Sequence, residues 1–141
     1  MQTILIPTDG SKPARNALKY VISMFKEGLK ADIHIINVKP DLMPIGDLTL
    51  IDLDFVEKNQ QKESEKIMKS ASKVLLDAGL DYKKAILRGA IVPNIVKYAK
   101  SHDCHSIVMG TRGMGALGNL VLGSTANQVV HMTKVPVTLV K

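Results

Sequence analysis

The residues best suited to bind a charged ligand form a glycine-rich segment late in the chain. It contains Gly110, Gly113, Gly115, Gly118 and Gly123, followed directly by Ser124 and Thr125. Glycines let the main chain approach an anion closely, and a helix that opens at the two hydroxyl residues would direct its positive end at a phosphate. The segment therefore predicts a phosphate-binding loop. Two other roles stay open, because a long loop needs glycines for positive φ and Ser124 is an ordinary residue for capping a helix.

Two known phosphate-binding patterns overlap with this segment, and both fail at identifiable positions. Gly113-x-Gly115-x-x-Gly118 has the spacing of a dinucleotide fingerprint, but it does not follow the first predicted strand, and no acid lies downstream to hold a ribose. The P-loop pattern fits Gly118 and Gly123, but Ser124 stands where that loop has its lysine. The segment is therefore neither of these two motifs.

Few side chains elsewhere suggest chemistry. Asp9 is the one acid that we place near the loop, and its alternative role is to cap a helix entry. The run from His102 to His105 has three types of metal ligand, but it straddles a helix end and a strand start and has no second ligand cluster at a suitable spacing. We therefore expect no catalytic residue and no metal site made by the protein alone.

Charge and composition argue against two classes of protein, those that bind nucleic acids and those that span a membrane. The formal charge is +6, from 19 basic and 13 acidic residues, and no acid follows Asp103, so an anion would meet little repulsion near the loop. The few aromatic residues are not clustered with basic ones, which argues against nucleic acid as a partner. No apolar run is long enough for a membrane span, no leader is evident, and Cys104 is the only cysteine. We expect a soluble cytoplasmic protein.

Strand and helix patterns alternate along the whole chain. Apolar runs predict five strands and amphipathic periodicity predicts four helices between them. The predicted strands are 3–8, 33–38, 82–87, 106–109 and 135–140, and the predicted helices are 12–27, 55–78, 91–99 and 123–132, with a connection that extends to about Asp52. This order predicts one domain over residues 1–141: a five-stranded parallel α/β sheet, Rossmann-like, with helices on both faces.

Parallel sheets of this type bind ligands at the carboxyl ends of their strands, where the direction of winding reverses. The loops that follow strands one, two and four are therefore the places to look for a site. They hold the segment from Pro7 to Ser11, Val38 with Lys39, and the glycine-rich loop.

The spacing Gly110-x2-Gly113-x9-Gly123-Ser124 resembles that of the ATP-binding branch of the universal stress protein family. Three further segments are similar to this family: residues 4–11 to its first strand and turn, 106–113 to its fourth strand and loop, and 135–140 to its last strand. The resemblance covers essentially the whole chain, and it implies the adenine nucleotide hydrolase-like variant of the Rossmann fold.

The resemblance implies a role for each matched residue. Adenine and ribose would meet Pro7, Thr8 and Asp9, the main chain of Val38, and Met109 with Gly110, while the phosphates would meet Arg112, Gly113, Gly123, Ser124 and Thr125. Val38 has an alternative role as a core residue. Two positions depart from the pattern, because Ala126 lacks the hydroxyl that relatives can offer and Asn127 replaces an acid found in many of them.

The resemblance also implies ATP as the ligand, with Mg²⁺ or Mn²⁺ on its phosphates, and a homodimer through the C-terminal strand Val135 to Val140. A stress-response regulator that works by binding nucleotide is the function expected. Two alternatives stay open: a slow ATP hydrolase on the same fold, and a scaffold that binds no nucleotide.

Overall fold

The structure is a computed structural model that describes residues 1–42, 49–112 and 122–141. Strands and helices alternate as the sequence predicts. The strands are β1 (Gln2–Pro7), β2 (Ala31–Lys39), β3 (Lys83–Arg88), β4 (Ser106–Gly110) and β5 (Val137–Val140), and the helices are α1 (Lys12–Lys26), α2 (Leu50–Asp77), α3 (Ile91–Ser101) and α4 (Ser124–Met132).

The five strands form one parallel sheet in the order β3-β2-β1-β4-β5. The chain winds outward from β1 to β2 and β3, and then returns to the other side of β1 for β4 and β5. The direction of winding therefore reverses between β1 and β4, which confirms the predicted fold and places the reversal beside the loops after these two strands.

Both faces of the sheet are covered, because alternate residues of each buried strand point to opposite faces. On one face, Ile4, Ile6, Ile33 and Ile35 pack with Leu18 and Val21 of α1 and with Met68 and Leu75 of α2. On the other face, Leu5, Ile36 and Ile107 pack with Val92 and Ile95 of α3 and with Val129 of α4. Because helices cover both faces of the sheet, a ligand would meet it at the strand ends.

Several predicted boundaries differ from those of the structure, among them the starts of α2 and β5. The connection after β2 was expected to reach about Asp52, but α2 begins at Leu50, because Thr49 and Asp52 form a reciprocal capping box. The last strand was expected from Val135, but β5 begins at Val137, and the Val135 N–H donates to the Thr133 hydroxyl at 3.1 Å. Both errors arise where a polar side chain, rather than an apolar pattern, decides the boundary.

The first half of α2 is solvent-exposed as predicted, since its buried residues begin at Ser64. Among the described residues, no helix combines the length and the apolar character needed to cross a membrane.

Candidate functional site

The turn after β1 is held by a dense set of hydrogen bonds. The Asp9 Oδ1 atom accepts from the Ser11 N–H at 2.9 Å, and the Ser11 hydroxyl in turn accepts from the Ala14 N–H at 3.3 Å. Ser11 is therefore the N-cap of α1, and Asp9 supports the turn instead of capping the helix itself. Gly10 has a φ of +81°, and its carbonyl accepts from Arg15 Nη1 at 2.9 Å. The turn is preformed at the carboxyl end of β1.

The end of β2 lies directly beside this turn. The Thr8 N–H donates to the Ile36 carbonyl at 2.8 Å, which continues the contact between the two strands past Pro7. The buried Asn37 side chain donates through Nδ2 to the Thr8 carbonyl, also at 2.8 Å. Val38 is partly buried and packs against the core on the α3 side. Its side chain thus has the core role that the sequence left open, and a ligand would meet its main chain.

The end of β4 makes a close approach to α1. A Cβ atom added at Gly110 would lie 2.7 Å from the Cβ of Pro13 and 2.9 Å from the main-chain nitrogen of Ala14. Met109 is only 5% exposed and its side chain belongs to the core. Gly110 therefore has a packing role, whatever ligand its main chain meets.

Helix α4 starts at the same edge of the sheet. The Gly123 N–H donates to the Thr111 carbonyl at 2.6 Å, which ties the start of the helix to the end of β4. Gly123 is the N-cap, and as a glycine it has no side chain with which to cap the helix. Ser124 is the first helical residue, so the capping role that the sequence left open for it is not present. The first helical bond runs from the Asn127 N–H to the Gly123 carbonyl at 3.0 Å. The main-chain N–H groups before it have no partner within the helix, so they are suited to donate to an anion.

The ladder between β1 and β4 stops before the strand ends. Its register comprises Ile4 with Ser106 and Leu5 with Ile107 along the described chain, whereas β1 stays paired with β2 up to Pro7. The last residues of β1 and β4 are thus separated, as is usual for the ligand-binding crevice of such a sheet. The turn after β1, the end of β4 and the first turn of α4 all lie at this carboxyl edge.

Most of the predicted residues lie at this one edge. Pro7 ends β1, and Thr8 and Asp9 follow it. Met109 and Gly110 end β4, and Arg112 lies two residues beyond it. Gly123, Ser124 and Thr125 open α4, and Val38 is near the end of the neighbouring strand β2. Gly113 lies outside the described residues, as do Gly115 and Gly118. Sequence reasoning missed Asn37, although an amide inside an otherwise apolar strand is a usable signal for a specific buried hydrogen bond.

A family model for the universal stress protein family matches residues 1–141. The chain belongs to the universal stress protein family. Two universal stress proteins of Methanocaldococcus jannaschii are similar to it: one is 31% identical over 139 residues, covering 98% of this chain and 81% of the relative, and the other is 33% identical over 153 residues, covering 98% and 93%. The family resemblance inferred from the loop glycines is confirmed.

Solved structures share the fold of this universal stress protein. That of the second M. jannaschii protein has a TM-score of 0.84 at 28% sequence identity and covers 99% of this chain and 95% of its own. A universal stress protein from Archaeoglobus fulgidus in complex with dAMP has a TM-score of 0.69 at 19% identity, covering 100% and 98%. Another in complex with cAMP has a TM-score of 0.73 at 22% identity, covering 99% and 97%. At the last two identities the likeness concerns the fold.

Proposed function

We propose that the chain is a cytoplasmic stress-response regulator that binds ATP at the carboxyl edge of its sheet, between the turn after β1 and the first turn of α4. The observation that carries the proposal is the first turn of α4. Its N-cap, Gly123, has no side chain, and the bond from Gly123 to Thr111 ties this turn to the end of β4, beside the point where the strand order reverses. Phosphate oxygens would accept from its N–H groups and from the hydroxyls of Ser124 and Thr125.

Two further observations support an adenine nucleotide as the ligand. Solved universal stress proteins of the same fold carry dAMP and cAMP. The preformed turn after β1 also places the Asp9 carboxylate at this edge of the sheet, and carboxylate oxygens are acceptors that suit ribose hydroxyls. We take ATP as the nucleotide because the glycine spacing Gly110-x2-Gly113-x9-Gly123-Ser124 resembles that of the ATP-binding branch of the family.

A divalent ion would arrive with the nucleotide. Across residues 1–42, 49–112 and 122–141, no three His, Cys, Asp or Glu side chains come together as ligands for a metal ion. Mg²⁺ commonly keeps several waters and is held by substrate phosphates with one or two protein groups. The hydroxyls of Ser124 and Thr125 fit that supporting role, and the ion would neutralise charge on the phosphates when bound.

The geometry favours binding over fast hydrolysis. Asp9 is the acid that follows β1, and one of its carboxylate oxygens is already engaged by the Ser11 N–H at 2.9 Å. A carboxylate that builds a turn is constrained in orientation, whereas a general base must reach the attacking water. The ATP-bound and ATP-free states would therefore act as signals, with at most slow turnover between them.

We also propose that two copies pair through β5. The edge strand β3 carries Lys83 and Lys84, and charged edge residues protect a sheet from pairing with another. The opposite edge strand β5 has no charged residue between Val137 and Val140. A second copy of β5, related by a two-fold axis, would cover this edge.

The proposal is tested by removing one hydroxyl from the first turn of α4. Thr125→Val keeps the shape of the side chain, and isothermal titration calorimetry with Mg·ATP should show at least about tenfold weaker binding, as expected for the loss of a hydrogen bond to a charged group. Thr3→Val, at the opposite edge of the sheet, is the matched control and should bind as the wild type does. Equal ATP affinity in both variants would overturn the proposed site.

A further inference from the structure

The ladder between β1 and β2 ends in an irregular way. The Thr8 N–H donates to the Ile36 carbonyl at 2.8 Å, as the next step of a parallel ladder requires. In a regular ladder the following bond would run from the Val38 N–H to the Thr8 carbonyl. The side chain of Asn37 replaces that bond, because its Nδ2 atom lies 2.8 Å from the Thr8 oxygen.

The chemistry of the acceptor fixes the orientation of the Asn37 amide. A carbonyl oxygen only accepts, so the nitrogen of the amide, and not its oxygen, faces Thr8. Asn37 is 6% exposed and Thr8 is 5% exposed. In such a buried place an unpaired carbonyl is costly, which makes this side chain a specific part of the structure and not an incidental contact.

The main-chain groups of Val38 are directed toward the β1 side of the sheet. Successive residues of a strand direct their N–H and C=O to alternate sides. The Ile36 carbonyl faces β1, and the Lys39 carbonyl faces β3, where it accepts from the Gly89 N–H at 2.9 Å. Val38 therefore directs both its groups past the end of β1, and in the part of the chain that the structure describes no backbone hydrogen bond joins it to Thr8.

An adjacent N–H and C=O on a strand edge complement adenine. The Watson–Crick edge of adenine offers a ring nitrogen that accepts beside an amino group that donates. Guanine presents the opposite pattern, an oxygen beside a ring N–H, so the same main-chain groups would reject it.

We propose that Asn37 is a positioning residue for base recognition. By occupying the Thr8 carbonyl, its amide keeps the Val38 N–H out of the β1–β2 ladder and available to adenine. This inference rests on the proposed nucleotide-binding function and adds to it the residue that keeps the Val38 main chain in place to recognise the base.

The test compares ATP and GTP binding to Asn37 variants of the full chain by isothermal titration calorimetry. Asn37→Asp keeps the side-chain shape but removes the donor, and Asn37→Leu removes both polar atoms while filling a similar volume. Either change lets the Val38 N–H close onto Thr8 or displaces the two strand ends. ATP affinity should fall about tenfold, the equivalent of one hydrogen bond, while GTP affinity changes less than about twofold.

Asn59→Asp, at an exposed position of α2, is the matched control and should leave both affinities unchanged. An unchanged ratio of ATP to GTP affinity in the Asn37 variants would overturn the inference, since a purely structural role predicts that both affinities fall equally. If Asn37→Asp does not fold, Asn37→Leu carries the same comparison. A wild-type protein without affinity for ATP would overturn the proposed function itself, and this inference with it.

Discussion

At the scale of single residues, Gly110 shows why a glycine in a candidate site needs two explanations. The sequence placed it among the residues that meet a nucleotide. The structure shows that it also lies against the main chain of Pro13 and Ala14, at the distances where no side chain fits. A loop glycine and a packing glycine are identical in sequence, so the pattern alone does not separate the two roles.

Replacement of Gly110 by Ala should destabilise the fold even without nucleotide. The added methyl group would lie 2.8 Å from the carbonyl carbon of Pro13, and the main chain there has little room to move. We expect the free energy of unfolding in urea to fall by about 1–3 kcal/mol. Gly79→Asn is the control, because an Asn tolerates the φ of +72° there and nothing lies within 4 Å of the new Cβ. A Gly110→Ala protein as stable as the wild type would disprove the packing role.

A second residue-scale feature is the buried His34. Its Nδ1 atom lies 3.1 Å from the Tyr98 hydroxyl, and the Tyr98 ring stacks on His102 with centroids 3.8 Å apart. Burial lowers the pKa of His34, and Lys83 and His102 lower it further against the opposing charge of Asp32. His34 is therefore neutral in the folded protein at neutral pH.

This lowered pKa predicts a pH dependence of stability. In the unfolded chain His34 takes up a proton near its ordinary pKa of 6.5, but in the folded protein it does so only at lower pH. The contribution of neutral His34 to the free energy of unfolding is therefore fully present above pH 6.5. It is lost as the pH falls from there through the folded pKa. Urea unfolding at several pH values should show a smaller loss of stability on acidification in His34→Gln than in the wild type.

The pKa of His34 itself is measurable by NMR titration. Lys83→Gln should raise the pKa of His34, because a repelling charge is removed. Lys84→Gln is the control and should change this pKa less, since Lys84 is the next residue of β3 and points to the opposite face of the sheet. A His34 pKa at or above 6.5 in the wild type would refute this account.

At the scale of elements, the sequence predicted all nine helices and strands of the described chain because apolar periodicity decided most of them. Boundaries failed where side-chain hydrogen bonds decide the end. Thr49 and Asp52 start α2 inside a stretch that looks like loop, since its composition of Asp, Pro and Gly hides a cap. Asn37 was also missed because its role depends on a side-chain hydrogen bond, and the partner of its amide is 29 residues away in the chain.

The edge strand β5 allows a test of the proposed dimer that leaves the sheet intact. The Pro136 carbonyl accepts from the Ile107 N–H of β4, and the Val140 carbonyl accepts from the N–H of Thr111, the residue after β4. The alternation along β5 therefore places the Val137 N–H on the outer side. Val137→Pro removes this donor at the first residue of a strand, where proline is tolerated. Sedimentation velocity should show the variant as a monomer.

Val137→Thr keeps both the N–H group and the branched shape, and it should remain a dimer. If Val137→Pro sediments as the wild type does, pairing through β5 is wrong.

At the scale of the whole molecule, the fold and the family followed from the sequence, and the details of the site did not. The alternation of elements implied a parallel sheet, and the rules for such sheets predicted that a ligand would bind at its carboxyl edge. The contacts at that edge join segments far apart in the chain, such as Gly110 at the end of β4 and Pro13 in the first turn of α1. No local pattern contains such contacts, which is why the packing role of Gly110 became visible only in the structure.

The central claim is that this edge holds one adenine nucleotide in each chain. Native mass spectrometry of the purified protein with Mg·ATP tests it directly, because it counts bound ligands. The account predicts a mass increase of one ATP per chain that saturates as ATP is raised, and a marked loss of this species for Thr125→Val. Only ligand-free masses at millimolar ATP, from a protein that is folded, would contradict it.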